Sequence, residues 1–579
     1  MKVFYKKNDN NELFKKMEEF LDFKNIQNYI PLYKNFFNLN ENNYNSINLN
    51  NFNNLINLEE KINYSKFLAK IKNEENNIFQ KKIFIKYSPL LDPCKYVYGK
   101  YDNSYNILLL PNFINNNDIL CNEKINNIFN TCYCDSFFSF LSSKLLNEYN
   151  FLNGIDFYGS FIGLKNNFRF DISEDLEYLN DSEYFKNNLN INFSFLNYNF
   201  EKKNINNSRR KKTKLNINNI IDLPIEEIII DKKLEQSIHN LDLSVIDISE
   251  ECNKEIILLK SSKSSKLSKS SKSSKSSKSS KSSKSASSSC SSRYSNTDDE
   301  NNSEETNNDS SESESESESE SESGSESEIY CNINQFPVQS IVLECCEDTL
   351  DNYIVNNKIK DSEWESIILQ IIFTLIIYQK CFSFTHNDLH TNNIVYIKTD
   401  KQYLYYKYNN SHYKVPTFGK IYKIIDFGRA VYKFNNILYF NDSFSKDGDA
   451  YSQYNCEPYM NENKPRIDVN YSFDLARLGC SLFDYFIDDI DDILKLKSKI
   501  KKIIINWVFD DNNKNILYKN DGSERYPDFK LYKMIARTVH NHTPQKVLTN
   551  PLFDNYLIKK KLITKNASIF NIDELPSFI

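Results

Sequence analysis

Thr385-His-Asn-Asp-Leu-His-Thr-Asn-Asn-Ile-Val395 is the stretch around which the rest of the chain is read. It carries His386, Asp388 and Asn393 in the pattern H-x-D-L-x-x-x-N. Thirty-eight residues after Asp388 a second carboxylate, Asp426, stands in Ile424-Ile-Asp-Phe-Gly428, directly after a strand-like run. These residue types suit one kind of chemistry. A carboxylate beside a hydroxyl can take its proton. An amide oxygen and a second carboxylate are hard ligands for Mg²⁺ on nucleotide phosphates. Asp388 fits the first task, Asn393 and Asp426 the second.

Working outward, the residues just before this stretch are the most apolar in the chain. Asp361 to Phe382 includes Trp364, Ile367, Ile368, Leu369, Ile371, Ile372, Phe373, Leu375 and Ile376, which predicts a helix buried on all sides. Gln370 and Thr374 interrupt its greasiest part, so a membrane span is not expected. Ser340-Ile-Val-Leu-Glu-Cys-Cys-Glu-Asp-Thr-Leu350 reads as a short strand running into a helix start, with Asp348 or Thr349 as the cap. Further upstream, Lys81-Lys-Ile-Phe-Ile-Lys86 alternates like a strand, and Tyr87-Ser-Pro89 is expected to end it. Asp135 to Tyr149 carries Phe137, Phe138, Leu141, Leu145 and Leu146 on a helical stripe, ended by Asn153-Gly154; residues 157–172 read as paired strands. Near the start, Leu13, Phe14, Met17, Phe20 and Leu21 recur at helical spacing.

Between these ordered parts lies a stretch of different character. From Lys260 the chain becomes Ser-Ser-Lys repeats, and from Asp298 it turns acidic, ending in Ser-Glu repeats at Glu328. With almost no apolar side chains it cannot offset the entropy of ordering, so disorder is expected over 260–328. Its serines are candidate phosphoacceptors. Arg209-Arg-Lys-Lys-Thr-Lys214 reads as a solvated loop in preference to a nuclear-import address.

Composition bounds the remaining possibilities. The 579 residues carry a formal charge of −6, and the 260–328 tract, with ten cations against fourteen acids, supplies −4 of it. No basic field argues for a specific nucleic-acid partner. The twelve cysteines include no C-x-x-C pair and no zinc spacing, and Met1-Lys-Val-Phe-Tyr-Lys-Lys7 lacks an apolar signal core. A soluble protein in a reducing, intracellular compartment, with no membrane partner, is expected. The sequence assigns no oligomeric state.

The order of these motifs resembles the eukaryotic protein-kinase superfamily. Phe84-Ile-Lys-Tyr-Ser-Pro-Leu-Leu-Asp-Pro93 and His386-Asn-Asp-Leu-His-Thr-Asn-Asn393 are similar to serine/threonine kinases of mimivirus-type giant viruses, which would place the protein in host cytoplasm or virion. Asp388-Leu-His390 also resembles haspin-like kinases. The resemblance implies an α+β, two-lobed fold that uses ATP and Mg²⁺ on a protein substrate. Residues 76–200 would begin the small lobe, 201–333 would be an insertion, 334–350 the hinge strand, 351–560 the large lobe and 561–579 a tail, with 1–75 an extension of no assigned role. It also implies that Lys86 holds the phosphates, paired with Asp135 or Glu148. Leu343 would back the adenine pocket, and Glu344 and Cys346 would offer backbone bonds to the base. Asp474 with Gly479, in Phe473-Asp-Leu-Ala-Arg-Leu-Gly479, would anchor the catalytic loop, and residues 429–455 would be the activation segment, closed by Glu457-Pro458.

The chain departs from the family in several places. No glycine-rich loop precedes Lys86, since the first glycine is Gly99. His390 stands where serine/threonine kinases carry a lysine, as in choline- and aminoglycoside-type phosphotransferases. A catalytically weak pseudokinase scaffold and a small-molecule kinase are therefore the alternatives. Asn387 replaces the arginine that pairs with a phosphorylated activation segment, and Asn cannot form that charged fork. Activity is therefore expected to survive phosphatase treatment. A sharp loss of transfer traced to a site within 429–455 would contradict this.

Overall fold

The computed structural model describes residues 1–7, 10–101, 106–113, 123–173, 179, 182–196, 329–564 and 567–579. The Arg209–Lys214 cluster and the 260–328 tract lie outside the described residues. Strands dominate the first part of the chain and helices the second.

The first part is built on an antiparallel seven-stranded sheet. Its members are β1 (Phe23–Gln27), β2 (Asn53–Lys61), β3 (Lys66–Asn73), β4 (Ile78–Pro89), β5 (Phe157–Asp171), β6 (Phe193–Leu196) and β7 (Tyr330–Glu344). The order is β1-β5-β7-β4-β3-β2, with β6 also on β7. In β4 the period of two buries Ile83, Ile85 and Tyr87 on one face and turns Lys86 to the other. β4 continues past the expected break. Tyr87 and Ser88 still pair with Ser340 and Gln339, and Pro89, which has no N–H to give, falls on the last rung.

Two other expectations change. Residues 157–171 form one long strand, because Asn167 takes a left-handed φ of 49° without turning the chain, and pairing with β7 resumes at Phe168. The boundary expected at 75 falls inside the β3–β4 turn, where Asn73 N–H donates to Asn77 O at 3.0 Å. Residues 53–73 thus lie in the same sheet as Lys86. Helix α1 (Asn11–Leu21) buries Leu13, Met17 and Leu21, spaced four apart, against β2.

Helix α2 (Thr131–Tyr149) packs against the sheet. The Asn130 side chain caps its start by accepting from Cys132 N–H at 3.0 Å, and Asn150 ends it in the left-handed region, three residues before the expected Asn-Gly stop. Its first four turns are buried all round, which explains the small serines 136, 139, 142 and 143 among its aromatics.

In the second part the central helix is α3 (Asp361–Phe382), long and apolar enough to cross a membrane by composition, and here wrapped by protein. Its polar pair is satisfied. Gln370 Oε1 accepts from Tyr422 N–H at 3.0 Å and Asn153 Nδ2 at 3.1 Å, while Thr374 donates to Gln370 O at 2.8 Å. Beside it, β8 (Ile394–Lys398) and β9 (Lys420–Ile424) pair antiparallel, with Ile394 opposite Ile424. β10 (Val431–Phe434) and β11 (Ile437–Phe440) form the next hairpin. Helix α4 (Phe473–Phe486) approaches α5 (Lys499–Asn506) closely at Gly479, where a Cβ would lie 3.0 Å from that of Trp507. Helix α6 (Lys530–Thr538) follows. The short helix Pro544–Leu548 ends before Pro551, which cannot extend a helix, and a 3₁₀ turn, Pro551–Tyr556, follows.

Phe138 joins the two parts. Its ring is fully buried and meets those of Tyr378, Phe384, Phe427 and Tyr432 at 4.4–5.1 Å between centroids. Emptying so enclosed a site leaves a cavity that rigid neighbours fill poorly. Phe138→Ala is expected to lower stability by about 3–5 kcal/mol, read from the urea midpoint at an unchanged slope.

Candidate functional site

Lys86 is the point at which sheet, helix and the Asp-Phe-Gly segment meet. Its Nζ lies 2.7 Å from Asp135 Oδ2 and 2.9 Å from Asp426 Oδ1. Of the two acids left open by the sequence, Asp135 is therefore the partner of Lys86; Glu148 pairs with Lys144 one helical turn away. Burial alone would lower the Lys86 ammonium, but Asp135 and Asp426 outweigh it and hold it above its ordinary range, so it stays charged. Burial, with the like charge of Asp426, pushes Asp135 up against the pull of Lys86. Two carboxylates thus share one ammonium, a surplus of negative charge that a divalent cation would neutralise.

Asp135 also accepts from Phe427 N–H at 3.0 Å, which ties α2 to the Asp-Phe-Gly backbone. The same helix is held at its start. Asp442, beyond β11, accepts from Thr131 N–H at 2.9 Å and Thr131 Oγ1 at 2.7 Å, placing an anion at the positive end of the helix dipole.

The 385–393 loop is pinned from beneath. Asp474 on α4 accepts from His386 N–H at 3.0 Å and Asn387 N–H at 2.9 Å, the anchoring role implied by the resemblance. Burial pushes its carboxyl up to about 6 despite those bonds. His386 Nε2 donates to Ile425 O at 2.9 Å and its Nδ1 accepts from Asp388 N–H at 3.3 Å. Asn387, with a left-handed φ of 65°, donates to Arg429 O at 3.0 Å, and its Oδ1 accepts from Tyr454 O–H. The arginine missing at 387 is thus replaced by an uncharged clasp to the segment after Gly428.

Asn393 shows the clearest sign of a ligand. Its Nδ2 donates to Asp388 O at 2.9 Å and to His390 Nε2 at 3.1 Å, so both amide protons are engaged and the amide cannot flip. Its Oδ1 is buried without a partner among the described residues. An orphaned amide oxygen beside surplus carboxylate charge fits a hard cation such as Mg²⁺. Asn393 O also receives Ile425 N–H at 3.0 Å, next to Asp426. Asn393 and Asp426 are therefore neighbours in space, as the reading of both as metal ligands requires.

Asp388 is 1 % exposed. Burial would raise its carboxyl, but Arg429, His390, Arg477 and a hydrogen bond from Tyr532 together hold it below the ordinary range. Tyr532 O–H donates to Asp388 Oδ1 at 2.6 Å. Arg477 Nε lies 3.9 Å from the same oxygen. The sequence signals for these groups are uneven. Arg429 directly follows Asp-Phe-Gly and could have been singled out, whereas Tyr532 on α6 has no motif around it.

The expected nucleotide-base contacts are less open. Glu344 N–H already donates to Asp156 O at 3.0 Å, so it has no free proton for a base. The Glu344 side chain is buried against Lys423, which holds it below its ordinary range against the effect of burial. Cys346 lies beyond the end of β7, and its N–H donates to no carbonyl among the described backbone bonds. Leu343 pairs with Phe84 across from Lys86's strand. The turn between β2 and β3, ahead of the Lys86 strand, is Ile62-Asn63-Tyr64-Ser65 and holds no glycine. Asn63 Oδ1 accepts from Ser65 N–H at 3.0 Å and Lys66 N–H at 2.6 Å, and Ser65 O receives Ile85 N–H at 2.8 Å. An Asx-type bond here replaces the conformational freedom of glycine.

No family model matches the chain. It is similar to a probable serine/threonine-protein kinase of Dictyostelium discoideum, with 38% identity over 86 residues. That match covers 14% of this chain and 7% of the relative's length. It supports the kinase side of the sequence resemblance at that coarse level, and does not bear on the viral one.

His390 gives this site a pH signature. Burial pushes its ring down to about 4, below the ordinary 6.5. The unfolded chain therefore takes up a proton first as pH falls, and stability present above about 6.5 is lost towards pH 4. At pH 4 the loss is on the order of 3 kcal/mol relative to pH 7. Asp474 works in the opposite sense between its own two values, so the comparison is between the parent and His390→Gln. The stability difference between them, measured by urea unfolding, is expected to move against the parent by that amount over this window.

Proposed function

We propose that the chain is an ATP- and Mg²⁺-dependent kinase of the two-lobed, protein-kinase-like fold, acting on serine or threonine hydroxyls of proteins. The observation that carries this is Lys86 shared between Asp135 and Asp426, next to an Asn393 whose oxygen lacks a partner among the described residues. Bound ATP would supply the phosphoryl group, and Mg²⁺ would supply the charge that steadies it. Lys86, Asp426 and Asn393 would hold them. Asp388 orients the acceptor hydroxyl and takes its proton at a carboxylate oxygen. The surrounding cations keep Asp388 ionised and ready to act as a base. The name of the Dictyostelium relative supports serine and threonine as acceptors, over the short stretch that matches. The turn at 62–65 and the neutral His390 favour a second reading, a scaffold with little transfer activity.

Transfer of label from [γ-³²P]ATP to a panel of protein and metabolite acceptors separates the readings. Asp388→Asn and Asp426→Ala are each expected to lower transfer by roughly a hundredfold or more. Lys86→Met is expected to weaken Mg-ATP binding, seen as a smaller nucleotide-induced rise in Tm. Equal labelling by the parent and Asp426→Ala would favour the scaffold. Labelling of metabolites alone would favour a small-molecule kinase.

A further inference from the structure

We infer that Tyr532 and Arg477 form a relay that positions Asp388 for catalysis, a device carried by the helix pair α4 and α6 outside the motif-bearing loops. The inference rests on the kinase reading above and names how that site is set. Arg477 Nε donates to Tyr532 Oη at 2.9 Å, and Tyr532 Oη donates to Asp388 Oδ1 at 2.6 Å. The direction of the relay is fixed by its members. A guanidinium can only donate, so the tyrosine oxygen accepts from it and sends its own proton to the carboxylate. All three side chains are buried: Tyr532 is fully enclosed, Arg477 is 5 % exposed and Asp388 is 1 % exposed. Bonds of this kind between buried charged or polar groups are strong, and their geometry is shared across the network.

The consequence is orientational. Asp388 follows Asn387, whose backbone is in the left-handed region, and its carboxylate has a rotatable Cβ–Cγ bond. The Tyr532 bond fixes that rotation. The Arg429 guanidinium lies 5.4 Å from the Tyr532 ring and that of Arg477 5.2 Å from it. Tyr532 also stacks on Phe529 at 5.3 Å, so the ring has little room to swing. Arg477 and Asp474 are three residues apart on α4. One helix therefore fixes the loop backbone through Asp474 and the loop carboxylate through Arg477 and Tyr532. The bonds of the relay run to Asp388, on the acceptor side of the site.

The test is Tyr532→Phe in the full chain, which keeps the ring and removes the donated proton. Turnover is expected to fall about tenfold at an unchanged KM for ATP, the split that belongs to a residue acting through Asp388. Arg477→Gln, which loses the guanidinium but not the tyrosine, is expected to move kcat in the same direction by less. It also serves if Tyr532→Phe fails to fold. Unchanged or raised turnover in Tyr532→Phe would overturn the inference, as would a kcat and KM for ATP that shift together. A second readout does not depend on turnover. The ¹³Cζ resonance of Tyr532, assigned by its loss in Tyr532→Phe, is expected to shift in both Asp388→Asn and Arg477→Gln. A shifted resonance in a chain that transfers no phosphate would leave the relay standing and remove the kinase reading. An unmoved resonance would remove the relay.

Discussion

One buried ammonium shared between two carboxylates is the constraint on which the other features depend. Lys86 comes from the sheet, Asp135 from helix α2 and Asp426 from the segment after β9. Their meeting requires all three elements to be in register. A buried cation left without either partner would be costly, and so would a buried pair of acids without the lysine. Much of the surrounding structure keeps this arrangement from drifting. The Asp135 bond to Phe427 N–H, the Asp442 carboxylate at the start of α2 and the Phe138 ring all tie α2 to the second part of the chain.

A second device serves the loop that carries Asp388. Asp474 is a buried acid that accepts two backbone protons and tolerates a raised pKa to do so. Local strain is visible close by, in the left-handed φ angles of Asn387 and Asp426 (65° and 63°). Non-glycine residues reach that region at a cost, and short polar side chains that bond locally reduce it. Asn387 spends its amide on Arg429 O and accepts from Tyr454, while Asp426 Oδ1 accepts from Gly428 N–H at 3.3 Å. The same groups that relieve the strain also place the functional side chains.

What the sequence made legible follows from how local each signal is. The helix at 361–382, the strand at Lys86 and the 385–393 loop are specified by runs of neighbouring residues, and each is present at its pattern, the strand running on to Pro89. The choice between Asp135 and Glu148 could not be made from the chain alone, because both border the same helical stripe and only the packing of α2 separates them. The strands at 53–73 were missed because their polar asparagines blur the alternation that marks a strand. Only pairing with β4 gives them an inside face. Residues 157–171 likewise form a single strand, because pairing with β7 continues on both sides of Asn167 and holds the chain straight. Tyr532 had no sequence signal at all. Its role depends on a bond to a residue 144 positions away.

The clasp between Asn387 and Tyr454 has a further consequence. In a segment held by a phosphate against an arginine, the attraction is between full charges, and mobile ions weaken it. Here the closest tie is a hydrogen bond between two neutral, buried groups, which dissolved electrolyte barely reaches. This tie should therefore persist in concentrated brine, while the ion pairs of the same stretch, Arg429–Asp449 and Lys124–Asp442, weaken as a phosphate latch would.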